Sequence, residues 1–204
     1  MFITFEGIDY SGKTTQAKLL VDFLTTRGKE VVFLREPGGT KISEKIREIL
    51  LDKRNLEMSN RAELFLFSAA RTQLVSQVIT PALQSGKVVI CDRYDDSTTA
   101  YQGYGRQLDL EQIKAINLMA TAGTVPYITV LVDIELDEVT RRQKAAGISS
   151  DRMESSGRLF YERVRSGFLS IAKAEPKRFF VVNGMRTIDE IQTEIRAIVQ
   201  QHLR

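Results

Sequence analysis

Residues 7–14 have the types and spacing of a phosphate-binding loop. They read G-I-D-Y-S-G-K-T, which fits the pattern G-x-x-x-x-G-K-[ST]. In such a loop, the backbone N–H groups of a glycine-rich turn surround a polyphosphate. Lys13 would reach the outer phosphates, and the hydroxyl of Thr14 would bind Mg²⁺. The motif therefore predicts a site for a polyphosphate ligand.

The sequence on both sides of this loop supports the assignment. Residues 2–5 read as a strand and residues 13–27 as a helix, so the loop joins a strand to a helix N-terminus. The helix adds the positive end of its dipole to the site. A chance turn in front of a capped helix is the alternative, and the strand–loop–helix order makes it the weaker one.

A second group of chemically capable residues follows an apolar run at positions 88–91. Asp92 comes directly after this strand-like run, where a carboxylate can bind Mg²⁺ or its waters. Arg93 is next to it, and the planar guanidinium suits phosphate. The alternative for Arg93 is an ordinary salt bridge at the surface.

A third pair, Phe67 and Arg71, is spaced four residues apart in a helix-like stretch and so shares one helix face. The ring could stack on a base, and the guanidinium could donate to a base carbonyl. A Phe on a helix is more often a core residue, and the spacing alone favours that alternative.

Strand-like and helix-like runs alternate along the whole chain. The predicted strands are 2–5, 30–34, 88–92, 127–132 and 178–182. The predicted helices are 13–27, 41–51, 60–84, 110–121, 136–145, 159–174 and 188–203. This alternation predicts an α/β fold, a five-stranded parallel sheet with helices on both faces. Ligands bind at the carboxyl ends of the strands in such sheets, where the loop, Asp92 and Arg93 would meet.

The composition limits the classes of function. The chain has 204 residues, of which 43% are hydrophobic, so it can form one domain spanning residues 1–204. The formal charge of +3 is too small to indicate nucleic-acid binding. One cysteine, Cys91, excludes an internal disulfide, and with a single histidine, His202, a zinc site is disfavoured. Without a long apolar segment we expect no membrane association and a cytoplasmic location.

Two absent motifs narrow the class of phosphate-loop protein. GTP-dependent switch proteins carry a base-reading N-K-x-D segment, and transporter ATPases carry L-S-G-G-Q. The sequence contains neither motif. A kinase remains as the leading interpretation.

Several segments, in chain order, resemble thymidylate kinase in its bacterial form. They are F-E-G-I-D at 5–9, R-E-P-G-G-T at 35–40, F-S-A-A-R at 67–71, D-R-Y at 92–94 with Ser97, A-Y-Q-G at 100–103 and G-R at 105–106. The resemblance implies a P-loop nucleoside monophosphate kinase fold with a short mobile lid at about 141–157 and a dTMP-binding region at about 36–106. It also implies phosphorylation of dTMP to dTDP by ATP and Mg²⁺, in dTTP biosynthesis, by a homodimer.

The resemblance also assigns residues to the two substrates. ATP would be held by Gly7, Ile8, Asp9, Tyr10, Ser11, Gly12, Lys13 and Thr14, and Mg²⁺ by Thr14 and by Asp92, the latter directly or through water. The dTMP site would consist of Asp9, Glu36, Pro37, Phe67, Arg71, Arg93, Thr98, Tyr101 and Gln102. Within it, Phe67 would stack on thymine, Arg71 would donate to a thymine carbonyl, and Arg93 would hold the phosphate.

The cation that stabilises the transferred phosphoryl group is expected in the lid. Some relatives place an arginine in the loop where this chain has Tyr10, which carries no charge. The predicted catalytic residues are therefore Lys13 and Arg93 together with Arg142 and Arg152. Arg141 and Lys144 are further basic residues in the same stretch.

Two alternatives to dTMP phosphorylation stay open at this point. One is a kinase for another nucleoside monophosphate or a deoxynucleoside, against which Arg71 and Tyr101 argue only through the resemblance. The other is a non-catalytic nucleotide-dependent switch, which the missing N-K-x-D segment makes less favourable.

Overall fold

A five-stranded parallel sheet forms the centre of the computed structural model, which describes residues 1–147, 152–153 and 156–202. The strands are β1 (Phe2–Glu6), β2 (Val31–Arg35), β3 (Val88–Asp92), β4 (Ile128–Asp133) and β5 (Phe179–Asn183). Their order across the sheet is β2-β3-β1-β4-β5, and all neighbouring pairs are parallel. The predicted fold class is confirmed.

Helices connect the strands and cover the sheet on both sides. They are α1 (Lys13–Thr25), α2 (Lys41–Leu51), α3 (Asn60–Leu74), α4 (Thr80–Gln84), α5 (Asp95–Thr98), α6 (Leu110–Thr121), α7 (Leu136–Ala146), α8 (Arg158–Ala174) and α9 (Ile188–His202). Two segments, Val75–Ile79 and Thr99–Gly105, are π-helical. Within the described part of the chain, no helix has both the length and the apolar composition needed to cross a membrane.

Apolar side chains on the two faces of the sheet form separate parts of the core. On one face, Leu20 of α1 and Ile195 of α9 pack with Ile3 and Val130 of the sheet. The other face is covered by α3, α4, the 95–105 segment and α8, with Phe168 among its fully buried side chains. Burial of β1, β3 and β4 on both faces explains their continuous β-branched and aromatic sequences.

The structure differs from the predicted helix at 60–84, which is interrupted by the π-helical turn Val75–Ile79. Pro81 explains the interruption, because it has no N–H to donate and its ring clashes with the carbonyl of residue 77 in a regular helix. The chain then resumes as α4, with Pro81 in its first turn, where no donor is needed.

The segment Asp95–Gly105 is helical, and the sequence did not indicate it. Its first residues, D-D-S-T, have low helix propensity and no apolar periodicity. Long-range contacts hold the segment instead: Arg178 donates to both carboxylate oxygens of Asp96 at 2.8 Å, and the Asn117 amide donates to the Asp95 carbonyl at 3.1 Å. Partners from α6 and from the approach to β5 therefore replace local propensity.

Candidate functional site

The loop at residues 7–14 has the conformation that phosphate binding requires. Gly7 has a φ of 140°, and a Cβ there would lie 2.6 Å from the carbonyl oxygen of Val132. Gly12 has a φ of 94° and immediately precedes α1, so the free N–H groups of the helix start adjoin the loop. The side chain of Ile8 is buried in the core, so only its backbone can contribute to the site.

Lys13, Thr14 and Asp92 meet at the start of α1 and the end of β3. Lys13 is buried and lies 3.8 Å from Asp9, and its burial lowers the pKa of the ammonium group. The Thr14 hydroxyl donates to Oδ2 of Asp92, whose buried Oδ1 has no hydrogen-bond partner among the described residues. Hydroxyl and carboxylate oxygens are ligands that Mg²⁺ accepts, so these residues fit the expected metal.

The donor set on the protein is small. Over residues 1–147, 152–153 and 156–202, no group of three or more His, Cys, Asp or Glu side chains could hold a metal ion by itself.

One cavity brings together every residue that the sequence assigned to the second substrate. It encloses about 570 Å³ open to solvent and is called the acceptor cavity below. The predicted residues on its wall are Asp9, Glu36, Pro37, Phe67, Arg71, Arg93, Thr98, Tyr101 and Gln102. Sequence reasoning missed Arg47, Leu51 and Met153 in this wall, and it quoted Tyr94 and Ser97 without assigning them a role.

Asp9 lies where the phosphate-binding loop meets the acceptor cavity. Its Oδ1 accepts from Arg93 at 2.6 Å and lies 3.8 Å from Lys13, while its Oδ2 accepts from the hydroxyls of Tyr101 at 3.1 Å and Tyr161 at 3.2 Å. Burial alone would raise the pKa of Asp9, but the charges of Arg93 and Lys13 hold it well below its usual range. Asp9 is therefore ionised at neutral pH.

Arg93 has a backbone conformation that is unusual for a residue other than glycine. Its φ of 72° lies in the left-handed region, which costs on the order of 1–3 kcal/mol at such positions. Its Nη1 donates to the Gly7 carbonyl at 2.8 Å and to Ser97 Oγ at 3.1 Å. The buried carboxylate of Glu6 supports the same turn, because it bonds the Tyr94 N–H at 2.7 Å and the Ser97 hydroxyl at 2.5 Å.

Arg71 is buried and makes several hydrogen bonds at the opposite end of the acceptor cavity. Its Nε donates to Glu36 Oε2 at 2.7 Å, its Nη1 to Thr98 at 2.9 Å and Asn117 at 3.3 Å, and its Nη2 to the Tyr94 carbonyl at 3.0 Å. These bonds use four of the five guanidinium N–H groups. Burial raises the pKa of Glu36 to about 7, and the charge of Arg71 opposes the rise.

Glu63 is the centre of a third cluster, which the sequence analysis did not identify. Its fully buried carboxylate accepts from Arg106 at 3.1 and 3.2 Å and from Gln102 at 2.9 Å, and it lies 2.7 Å from Arg152 Nη1. A signal existed in the sequence: residues 63, 67 and 71 are spaced by four and share one face of α3.

The two predicted lid arginines lie in different places. Arg142 donates to the carbonyls of Tyr10 and Ser11, both at 3.2 Å, and to the Gly184 carbonyl at 2.9 Å, so it adjoins the phosphate-binding loop. Arg152 is buried on the acceptor side, where it donates to the Leu50 carbonyl at 2.7 Å and pairs with Glu63. Lid positions 148–151 and 154–155 lie outside the described residues.

A second cavity opens on the other side of the loop. It encloses about 1060 Å³, and its wall includes Gly12, Lys13 and Thr14 together with Arg142 and Arg186. The turn after β5 contains Gly184 and Arg186. The sequence does not predict that this turn lies beside the loop, because its contacts are made across the sheet. The loop thus contributes to the walls of both cavities, Asp9 to the acceptor cavity and Lys13 to the second one.

Strand order, loop and metal-compatible oxygens together define a P-loop protein that binds nucleotides at the carboxyl edge of a parallel sheet. A thymidylate kinase family model matches residues 5–195. The chain therefore belongs to the thymidylate kinase family, a family of ATP-dependent kinases.

Full-length relatives agree with this assignment. The thymidylate kinase of Pelotomaculum thermopropionicum is 46% identical over 202 residues, covering 99% of this chain and 94% of that protein. The thymidylate kinase of Geotalea daltonii is 45% identical, covering 97% and 95%. The crystal structure of thymidylate kinase from Ehrlichia chaffeensis superposes with a TM-score of 0.80 at 38% identity, covering 98% of both chains.

The buried carboxylate of Glu6 leads to a prediction about pH. Burial, helped by the charge of Asp96, raises the pKa of Glu6 from 4.5 to about 8. Between these values the folded protein holds a proton that the unfolded chain has lost, so the free energy of unfolding falls as pH rises. We expect Glu6→Gln to flatten this fall between about pH 5 and pH 8.

Urea unfolding at several pH values measures this slope. The control is Glu57→Gln, at an exposed position, which should leave the slope of the unmodified protein. An equally steep slope in Glu6→Gln would contradict the prediction.

Proposed function

We propose that this protein transfers the γ-phosphoryl group of ATP to dTMP, with Mg²⁺, to give dTDP for dTTP synthesis. The observation that carries the proposal is the acceptor cavity, which gathers all nine expected dTMP residues and shares Asp9 with the phosphate-binding loop. Two cavities that meet at one loop suit a reaction between two phosphorylated substrates.

The phosphate groups of both substrates would be held near Lys13 and Arg93. The loop backbone and Lys13 bind the ATP phosphates, and Arg93 binds the phosphate of dTMP from the turn after β3. Thr14 and Asp92 would hold Mg²⁺, which would supply charge neutralisation at the phosphates. Catalysis then consists of positioning and charge stabilisation, because phosphoryl transfer requires little covalent chemistry from the protein.

The base and sugar of dTMP would occupy the far part of the acceptor cavity. Phe67 is half-buried on the cavity wall, so one face of its ring is available for stacking on thymine. Arg71 has one N–H beyond the four bonds described above, which suits donation to a single carbonyl such as O4. Tyr101 and Asp9 lie at the sugar position, and Thr98, Gln102, Glu36 and Pro37 complete the wall.

A lid arginine supplies the charge that Tyr10 cannot supply. Arg142 is the better placed of the two candidates, since its guanidinium already contacts the loop carbonyls. Arg152 would first have to leave Glu63 and the Leu50 carbonyl. The lid at about 141–157 is the part of this single domain that would change conformation on ATP binding.

Replacing these arginines by alanine tests the assignment. We expect Arg142→Ala or Arg152→Ala, whichever removes the transfer cation, to lower kcat by roughly a hundredfold or more with little change in the KM for dTMP. The control is Arg54→Ala, because the Arg54 guanidinium is exposed and pairs with Asp52, outside the lid. Full turnover in both variants would refute a lid cation.

An acceptor panel tests the activity itself. ADP release is measured with ATP and Mg²⁺ in the presence of dTMP, dUMP, dCMP, dGMP or UMP, and without an acceptor. We expect the highest kcat/KM with dTMP, and ADP release that depends on the acceptor. Equal or better turnover of dGMP would favour another monophosphate kinase, and fast ATP hydrolysis unaffected by dTMP would favour a nucleotide switch.

A homodimer in the cytoplasm is the proposed working form. Phe65 of α3 and Leu118 and Met119 of α6 are exposed apolar residues on neighbouring helices, which suits an interface, whereas Leu64 and Ile113 are buried in the core. Light scattering is expected to give twice the 23.1 kDa of one chain, and Leu118→Asp is expected to shift the mass towards one chain. A single-chain mass at all concentrations would contradict the dimer.

A further inference from the structure

The side-chain amide of Gln102 is held by a carboxylate behind the acceptor cavity. Gln102 lines the cavity, and its Nε2 donates to Glu63 Oε1 at 2.9 Å. Both residues are buried, with exposed fractions of 1% and 0%. The amide therefore lies between a ligand-accessible cavity and a fixed protein group.

Glu63 is ionised, and this determines what it can offer to the amide. Burial alone would raise its pKa, but the hydrogen bonds and charge of Arg106, with further hydrogen bonds from Gln102 and Arg152, lower the pKa overall. An ionised carboxylate only accepts hydrogen bonds. Gln102 must turn its NH₂ group towards Glu63, because the opposite orientation would bring its carbonyl oxygen against a negative charge.

The orientation of the amide also determines what Gln102 presents to the cavity. With Nε2 turned towards Glu63, the amide keeps Oε1 as its acceptor for the base edge, and the ionised carboxylate prevents the exchange of Oε1 and Nε2. Thymine and uracil carry a donor at N3, whereas cytosine carries an acceptor there. An Oε1 at this position therefore accepts a hydrogen bond from thymine or uracil. With cytosine, two acceptors face each other and no hydrogen bond forms.

We propose that Glu63 is a positioning residue that fixes the orientation of the Gln102 amide and thereby selects monophosphates whose base donates at N3 over those with cytosine. The inference rests on the proposed function, since it places the pyrimidine in the acceptor cavity. Glu63 touches no substrate in this arrangement and acts only through Gln102. Arg106 and Arg152 hold its carboxylate in place.

Glu63→Gln is the informative substitution. A neutral carboxamide can accept from Gln102 or donate to it, so both orientations of the Gln102 amide become available. The measurement is kcat/KM for dTMP and the inhibition constant of dCMP against dTMP. We expect discrimination between the two nucleotides to fall by about tenfold or more, with dCMP binding strengthened, because a wrong hydrogen-bond partner in a buried site is rejected strongly.

A merely structural role for Glu63 would give a different result. Loss of packing or of the ion pairs would weaken dTMP and dCMP by the same factor, and that outcome would overturn the proposal. The matched control is Glu57→Gln, the same substitution at an exposed position that makes no contact with the Gln102 amide. Its discrimination should equal that of the unmodified protein.

A folding defect would not prevent the test. Glu63→Gln leaves the buried Arg152 and the half-buried Arg106 without a counter-charge. The double variant Glu63→Gln with Arg106→Gln removes one of these charges and keeps the altered amide. Circular dichroism establishes that each variant is folded. Reduced discrimination in the double variant, relative to the unmodified protein, supports the proposal, and unchanged discrimination refutes it.

The unmodified protein offers a further measurement. Acid protonates cytosine at N3 and turns its acceptor into a donor. We expect dCMP inhibition to strengthen relative to dTMP affinity as the pH is lowered, and no such relative change would refute the proposed orientation of Gln102. If the unmodified protein fails to phosphorylate dTMP at all, the proposed function is wrong. If it phosphorylates dTMP normally and Glu63→Gln weakens dTMP and dCMP equally, only the role proposed for Glu63 is wrong.

Discussion

The ion pair between Asp9 and Arg93 is the interaction on which the arrangement of the site depends. Asp9 belongs to the loop after β1, and Arg93 to the turn after β3, so their contact at 2.6 Å joins the ends of two neighbouring strands. Lys13 and two tyrosine hydroxyls complete the surroundings of the carboxylate. Because Tyr161 comes from α8, this single carboxylate also connects the loop to the helix that follows the lid.

Paired buried charges recur around the acceptor cavity. Their pairing explains the shape of the cavity more than the stability of the protein. Glu36 with Arg71, Glu63 with Arg106 and Arg152, and Asp96 with Arg178 are all partly or fully removed from water. Desolvation offsets much of the attraction in such pairs, so they add little net stability. Removing one partner is costly, however, because it leaves the other charge buried and unpaired. The pairs therefore fix the positions of the helices that carry them.

Much of the fold was predictable because local sequence determines it. The β-branched run Val88–Asp92 is a strand buried on both faces, and G-x-x-x-x-G-K-T permits few conformations other than the observed loop. The meeting of Asp92, Arg93 and the loop at one edge follows from the geometry of parallel sheets. The nine residues assigned to the acceptor line one cavity, but their choice came from family resemblance, since spacing alone favoured a core role for Phe67.

The features that sequence reasoning missed depend on contacts between distant segments. Helix α5 is held by Arg178 and Asn117, which lie 82 and 22 residues from their partners. The roles of Glu63 and Tyr161 depend on which arginine or carboxylate the folded chain brings beside them. No local pattern of polarity contains that information, although the spacing of residues 63, 67 and 71 gave a partial clue.

Four of the five N–H groups of Arg71 are bonded within the protein, and this has a consequence for how a ligand enters the cavity. Its contacts with Glu36, Thr98, Asn117 and the Tyr94 carbonyl fix the guanidinium in place, so this part of the cavity is preorganised. In the proposed reaction, a phosphate bound by Arg93 would share this residue with Asp9, which is an exchange of counter-ions. Dissolved salt competes with such an exchange but hardly reaches a buried network. Ionic strength therefore acts on recognition of the phosphate and leaves recognition of the base nearly unchanged.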